Sequence, residues 1–240
     1  MPATTVSIPS RFCGPPSSGN GGYTSGLLAS LVDGPCEVTL RAPPPLDRPL
    51  SLARTEDGGV TLMQDATLVA EATPRTFELE LPAPITYEEA EAASRAYPGF
   101  HSHPYPTCFV CGPERKHGDG LLIFPGPVEG RRLVAAPWLP TADLCRDGVV
   151  DARFVWAALD CPSWFGFVSF AEEVPPVLLG RLTLRLKRQP RSEQRCIVVG
   201  WTTGREGRRI ECGSMLLDEH GDCLAHAKST WIALKSPIAG

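Results

Sequence analysis

The sequence predicts an α+β fold built from two copies of one unit, each a helix followed by four antiparallel strands with the helix laid on one face. Three observations carry this. The order of one helix signal and four strand signals occurs twice along the 240 residues. The strand segments alternate apolar and polar residues, the pattern of a sheet with one covered face. The words Val38-Thr-Leu-Arg and Leu182-Thr-Leu-Arg open the strand series in the two halves, so an internal duplication is the economical reading. Two such units can pair edge to edge, which closes two exposed edges and sets the helices side by side. The expected form is two antiparallel sheets, each wrapped on a central helix and joined at an edge. Residues 1–97 make the first repeat with a linker helix, and residues 98–240 make the second.

In the first half a helix is expected near Gly22 to Val32, followed by strands at Val38-Thr-Leu-Arg, Pro49-Leu-Ser-Leu, Gly59 to Gln64 and Ala66 to Ala72. This copy lacks an evident opening strand. The Glu- and Ala-rich segment from Tyr87 to Arg95 reads as an exposed helix joining the copies. In the second half Gly120-Leu-Leu-Ile-Phe and Arg131 to Ala136 read as strands, and Val150 to Ser169 as one long, nearly all-round apolar helix. Strands are expected at Leu178 to Arg188, Arg195 to Thr203, Arg208 to Asp218 and Cys223 to Leu234, the last two joined by a turn at Glu219-His-Gly-Asp222.

Charge and composition exclude several classes. Lys and Arg total 23 against 27 Asp and Glu, so the basic field of a dedicated nucleic-acid binder is missing. No apolar run reaches the ~18 residues of a membrane helix and no signal sequence opens the chain, so a soluble, cytoplasmic protein is expected. Nine cysteines is an odd number, and Cys161, Cys196 and Cys212 lie in apolar or strand-like contexts, which argues for reduced core thiols. There is no Gly-rich phosphate loop and no Gly-x-Ser-x-Gly elbow, and neither Ser163 nor Ser214 has an evident base.

The stretch Cys108-Phe-Val-Cys-Gly-Pro, running into Gly120-Leu-Leu-Ile-Phe, resembles the opening of many hotdog-fold thioesterases, and Trp156-Ala-Ala-Leu-Asp-Cys-Pro resembles their central helix. With the duplication, the chain is similar to double hotdog acyl-CoA thioesterases over nearly its whole length. The resemblance implies thioester hydrolysis, with acyl-CoA or an acyl carrier as partner, no cofactor, and a homodimer as the candidate assembly. In that family a His-Gly-Gly turn opens the helix and an acid follows nine residues after the His. Here Asn20-Gly21-Gly22 forms the turn but the ninth residue on is Ala29, whereas Asp151 has lost the glycines and the ninth residue on is Asp160.

Thioester hydrolysis needs a carboxylate to activate water or attack the acyl carbon, and donors for the developing oxyanion. The unpaired amides of a helix N-terminus suit the second task. Nine residues of helix span about 13 Å, so Asp160 cannot serve its own helix start; the resemblance, whose family has cross-subunit sites, implies that it faces Gly21 and Gly22 if the two helices pack antiparallel. One live and one dead site follow: Asp160 as base or nucleophile, Gly21 and Gly22 as oxyanion donors, and Asn20 as cap or orienter. Trp156, Trp164 and Phe165 are candidates for the acyl tunnel. Arg181, Arg185 and Lys187 share one strand face and are candidates for the phosphates of coenzyme A.

Two further function classes stay open: a non-catalytic module that binds acyl-CoA or a protein, and an enoyl-thioester hydratase. His101, His103, Cys108, Cys111 and His117 have spacing that would satisfy a zinc ion. The resemblance favours no metal, because in the family's entry turn the thiols pack and bind nothing.

Overall fold

The computed structural model describes residues 4–234. The first half contributes β1 (Thr4–Val6), α1 (Gly21–Ala29), β2 (Cys36–Leu40), β3 (Leu50–Arg54), β4 (Val60–Gln64), β5 (Thr67–Pro74) and α2 (Tyr87–Ser94). The second contributes β6 (Gly126–Pro127), β7 (Val134–Trp138), the short pair β8 (Cys145–Arg146) and β9 (Val149–Val150), α3 (Ala152–Ala158), α4 (Cys161–Val168), β10 (Val177–Leu186), β11 (Cys196–Glu206), β12 (Arg209–Asp218) and β13 (Cys223–Ala233). Among the described residues, no helix is long and apolar enough to cross a membrane.

The two halves join at an edge, as expected, into one sheet and not two separate ones. Among the described residues, eleven strands run in the order β1-β3-β4-β5-β2-β10-β13-β12-β11-β7-β6. The seam is the antiparallel pairing of β2 with β10, in which Val38 lies opposite Leu182 and Glu37 opposite Thr183. The two similar words therefore meet at their first residues, a local two-fold centre, and run apart from it in opposite directions. Because the seam is a full hydrogen-bonded ladder, neither half retains an edge there, and the sheet is continuous. Glu37 reinforces it, accepting from the Thr183 hydroxyl at 3.1 Å and lying 3.5 Å from the Arg181 guanidinium.

Strand order within the halves matches: β3-β4-β5-β2 corresponds to β11-β12-β13-β10, with β1 beside β3 as β7 is beside β11. The opening strand that the first copy was expected to lack is thus present as β1, too short for alternation to reveal it. Gly120-Leu-Leu-Ile-Phe is not a strand. The Leu121 and Ile123 amides donate to Phe109 and Val110 carbonyls, and Leu122 takes a left-handed φ of 54°, so this segment is bound to the cysteine turn instead of the sheet. The linker helix α2 is also not simply exposed. Ala90 and Ala93 are buried with Ile197, Val199 and Met215 in a second core on the sheet's outer face.

The long apolar helix is broken in two, with Asp160 at the break (φ −74°, ψ −80°). Pro162 has no N–H to donate to the turn before it, so the helix cannot run through. The break is held by side chains. Ser163 Oγ donates to the Asp160 carbonyl at 2.7 Å and accepts from Ser229 Oγ at 2.8 Å and Trp231 Nε1 at 2.9 Å, while Ser214 Oγ donates to the Leu159 carbonyl at 2.7 Å. Every hydrogen-bonding position of Ser163 is in use. Ser163→Ala would leave the buried Trp231 Nε1 without an acceptor and Ser229 with only a 3.5 Å contact to the Cys212 carbonyl, and an unfolding titration is expected to show a loss of about 1–3 kcal/mol.

Candidate active site

The local chemistry of α1 explains its start. Asn20 is the N-cap, its Oδ1 accepting from the Tyr23 amide at 2.8 Å. Glycines then let another helix approach. A Cβ on Gly22 would stand 2.6 Å from the Asp160 Cβ and 2.7 Å from the Trp156 carbonyl oxygen, and one on Gly26 would stand 2.6 Å from the Arg153 Cα. Pairing Gly22 with Ala157 and Asp160, and Gly26 with Arg153, makes α1 and α3 antiparallel. Gly26 thus joins Gly21 and Gly22 as a residue that shapes the site, though it is not among the residues expected from the sequence. Its signal was available: two glycines four residues apart on one helix face, the spacing of close helix contacts.

This packing brings Asp160 to the start of α1. Its Oδ2 accepts from the Gly22 amide at 2.8 Å and from Asn20 Nδ2 at 2.9 Å. Its Oδ1 is buried and has no hydrogen-bond partner among the described residues. Asp160 is 2% exposed, and burial pushes its carboxyl up to about 7, against the Gly22 amide and Asn20, which favour the ionised form, while Cys108 adds to the rise. The result is a carboxyl that can take and return a proton near neutrality.

Of the two expected oxyanion donors, one is already engaged. The Gly22 amide is engaged by Asp160 and is not open to a carbonyl oxygen, whereas the Gly21 amide makes no hydrogen bond among the described residues. Asn20 both caps α1 and orients the carboxylate. At the other end of the helix pair Asp151 caps α3, accepting from the Arg153 amide at 3.0 Å and pairing with the Arg153 guanidinium at 2.8 Å. Ala29 supplies no acid there.

Asp160, Asn20 and Gly21 lie on the wall of a cavity of about 870 Å³. Trp164 and Phe165 line it, with Leu40, Val177, Leu179 and Trp231. Trp156 does not; it is buried between α1 and α3, where its Cβ would lie 2.9 Å from a Cβ on Gly26. Arg181, Arg185 and Lys187 are also absent from the lining. The bulge at Gly180 in β10 and the ion pair with Glu37 place Arg181 on the seam, and Arg185 and Lys187 are exposed. Of the metal-spaced residues, His103, Cys108 and Cys111 line the cavity, and His101 and His117 do not.

No family model matches the chain, and no curated protein does. Solved structures do. An acyl-CoA thioesterase II from Mycobacterium marinum overlays with a TM-score of 0.57 at 12% identity, covering 96% of this chain and 92% of the other. A TesB protein from Mycobacterium avium subsp. paratuberculosis gives 0.57 at 12% identity, covering 90% and 87%. A conserved protein of unknown function with a hot dog fold from Alicyclobacillus acidocaldarius gives 0.50 at 12%, covering 98% and 93%. At these identities the likeness speaks to architecture and not to reaction. Along nearly its whole length, the chain shares the hotdog fold of these structures.

Proposed function

We propose that the chain hydrolyses acyl thioesters, carried by coenzyme A or an acyl carrier, at one composite site between two fused hotdog repeats that divide near residue 98. The observation that carries this is Asp160: one carboxylate oxygen is tied to the opposite helix by Gly22 and Asn20, and the other is unpartnered on a residue that lines an apolar cavity. A buried oxygen without a partner is costly, and a water or substrate group would relieve it.

In this reading Asp160 Oδ1 accepts a proton from a water, which attacks the acyl carbon. The Gly21 amide, at the positive end of α1, donates to the carbonyl oxygen as it becomes negative. The carboxylic acid then returns the proton to the departing thiolate. The acyl chain lies along Trp164, Phe165 and Leu179, and the cavity's size falls in the ordinary range of ligand pockets, about 300–1,000 Å³. Asn20 keeps the carboxylate in place, so no His is required at that position.

A panel of acyl-CoAs of rising chain length, followed by release of free thiol, tests the reading. Turnover with at least one member is expected. A second reading, a hotdog module that binds acyl thioesters without hydrolysing them, is favoured by the engagement of the Gly22 amide, which leaves a single helix amide for the oxyanion. Calorimetric binding of an acyl-CoA with no thiol release would select it.

A further inference from the structure

The thiols at the cavity wall form a cluster that the thioesterase reading leaves unused. Cys108 and Cys111 come from the turn after the linker, and Cys161 is the first residue of α4, some fifty residues further along the chain. All three sulfurs lie within 4.8 Å of one another, and the Cys108 and Cys161 sulfurs are 3.7 Å apart. A tetrahedral zinc site with Zn–S bonds of about 2.3 Å has sulfur–sulfur edges of about 3.8 Å. The geometry points to a site for zinc, a thiophilic divalent ion, held by the thiolates of Cys108, Cys111 and Cys161 and open at its fourth position.

Two features around the cluster support this. His103 Nδ1 accepts from the Tyr105 amide at 2.9 Å, which places the ring proton on Nε2, and Nε2 lies 3.3 Å from the Cys111 sulfur. His103 is thus an outer N–H donor to a ligand sulfur, an arrangement that fixes and tunes metal-bound thiolates. The ring therefore does not supply the fourth ligand. All three cysteines line the cavity while almost wholly buried, so the open position faces the cavity. Soft sulfur donors select zinc over magnesium or calcium. The metal would tie the cysteine turn to α4 beside the helix break.

The test uses the full chain without a metal-binding tag, purified in the absence of chelators. About one equivalent of zinc per chain is expected by elemental analysis, and cobalt exchange should produce thiolate-to-metal charge transfer with strong tetrahedral bands. Added azide or a small thiol should shift those bands. Cys108→Ser and Cys161→Ser should each abolish stoichiometric metal, whereas Cys145→Ser, outside the cluster, should retain it. Should a cluster variant fail to fold, the parent chain stripped by a chelator and titrated with zinc answers the same question, with a rise in Tm of about 5 °C or more expected on reloading. A chain that neither carries nor takes up metal, or one whose Cys108 and Cys161 are joined in a disulfide under the same conditions, overturns the site. A cobalt spectrum indifferent to azide and thiol overturns the open position.

Discussion

Asp160→Asn is expected to lower acyl-CoA hydrolysis by a factor of about 10² to 10⁴, the usual range for removing a general base, while leaving the fold intact. The amide oxygen of an asparagine can still accept from the Gly22 amide and from Asn20 Nδ2, so the tie between the helices survives. The proton acceptor does not. Asp160→Ala separates the two contributions, because it also removes the shared acceptor and leaves two buried donors unpaired. That variant should lose about 1–3 kcal/mol of stability in addition to activity. Parent-like thiol release from a folded Asp160→Asn protein would remove Asp160 from the chemistry and leave it as a helix pin.

Gly22→Ala has the largest expected effect on stability. Its Cβ would be 2.6 Å from the Asp160 Cβ, 2.7 Å from the Trp156 carbonyl oxygen and 2.9 Å from the Ala157 Cα, and none of these atoms can swing aside. α1 and α3 must move apart, taking the Gly22 amide from the carboxylate it holds. The gain in helix propensity, about 1 kcal/mol, is outweighed by overpacking. A net loss of about 2–3 kcal/mol is expected, which for a chain of this size lowers Tm by about 4–12 °C in a thermal melt. Gly21→Ala is the contrast. Its Cβ would meet the Leu179 Cδ2 at 2.8 Å and the Leu40 Cδ1 at 3.0 Å, both flexible side-chain ends, so the fold should lose less than about 1 kcal/mol. Equal losses from the two variants would mean that the helix contact is not the tight one described.

Signals that act over a few residues were legible. The strands expected at Arg208 to Asp218 and Cys223 to Leu234 are found at Arg209–Asp218 and Cys223–Ala233, and the turn between them closes as expected, with Asp218 Oδ1 accepting from the His220 and Asp222 amides and Gly221 at a φ of 88°. Asn20 before a glycine pair announced a helix start. The nine-residue spacing to Asp160, taken with the reach of a helix, indicated that the acid and the glycine turn belong to different helices. Local rules failed where long-range bonds took over. Leu121 and Ile123 carry a strand-like pattern, yet their amides found partners at Phe109 and Val110 before any sheet edge.

The sequence by itself determined the two-fold order of elements, the helix starts and the residue types able to do chemistry, because capping, periodicity and turn preference are set by near neighbours. Only the tertiary structure decided that β2 and β10 form the seam, that the Gly22 amide is bound to Asp160 while the Gly21 amide is not, and that Cys161 joins Cys108 and Cys111 across some fifty residues. The physical reason is the same in each case. Each joins residues far apart in the chain, beyond the reach of near-neighbour rules; for the carboxylate, the approach of α1 to α3 is set by Gly22 and Gly26, whose partners lie in the other half.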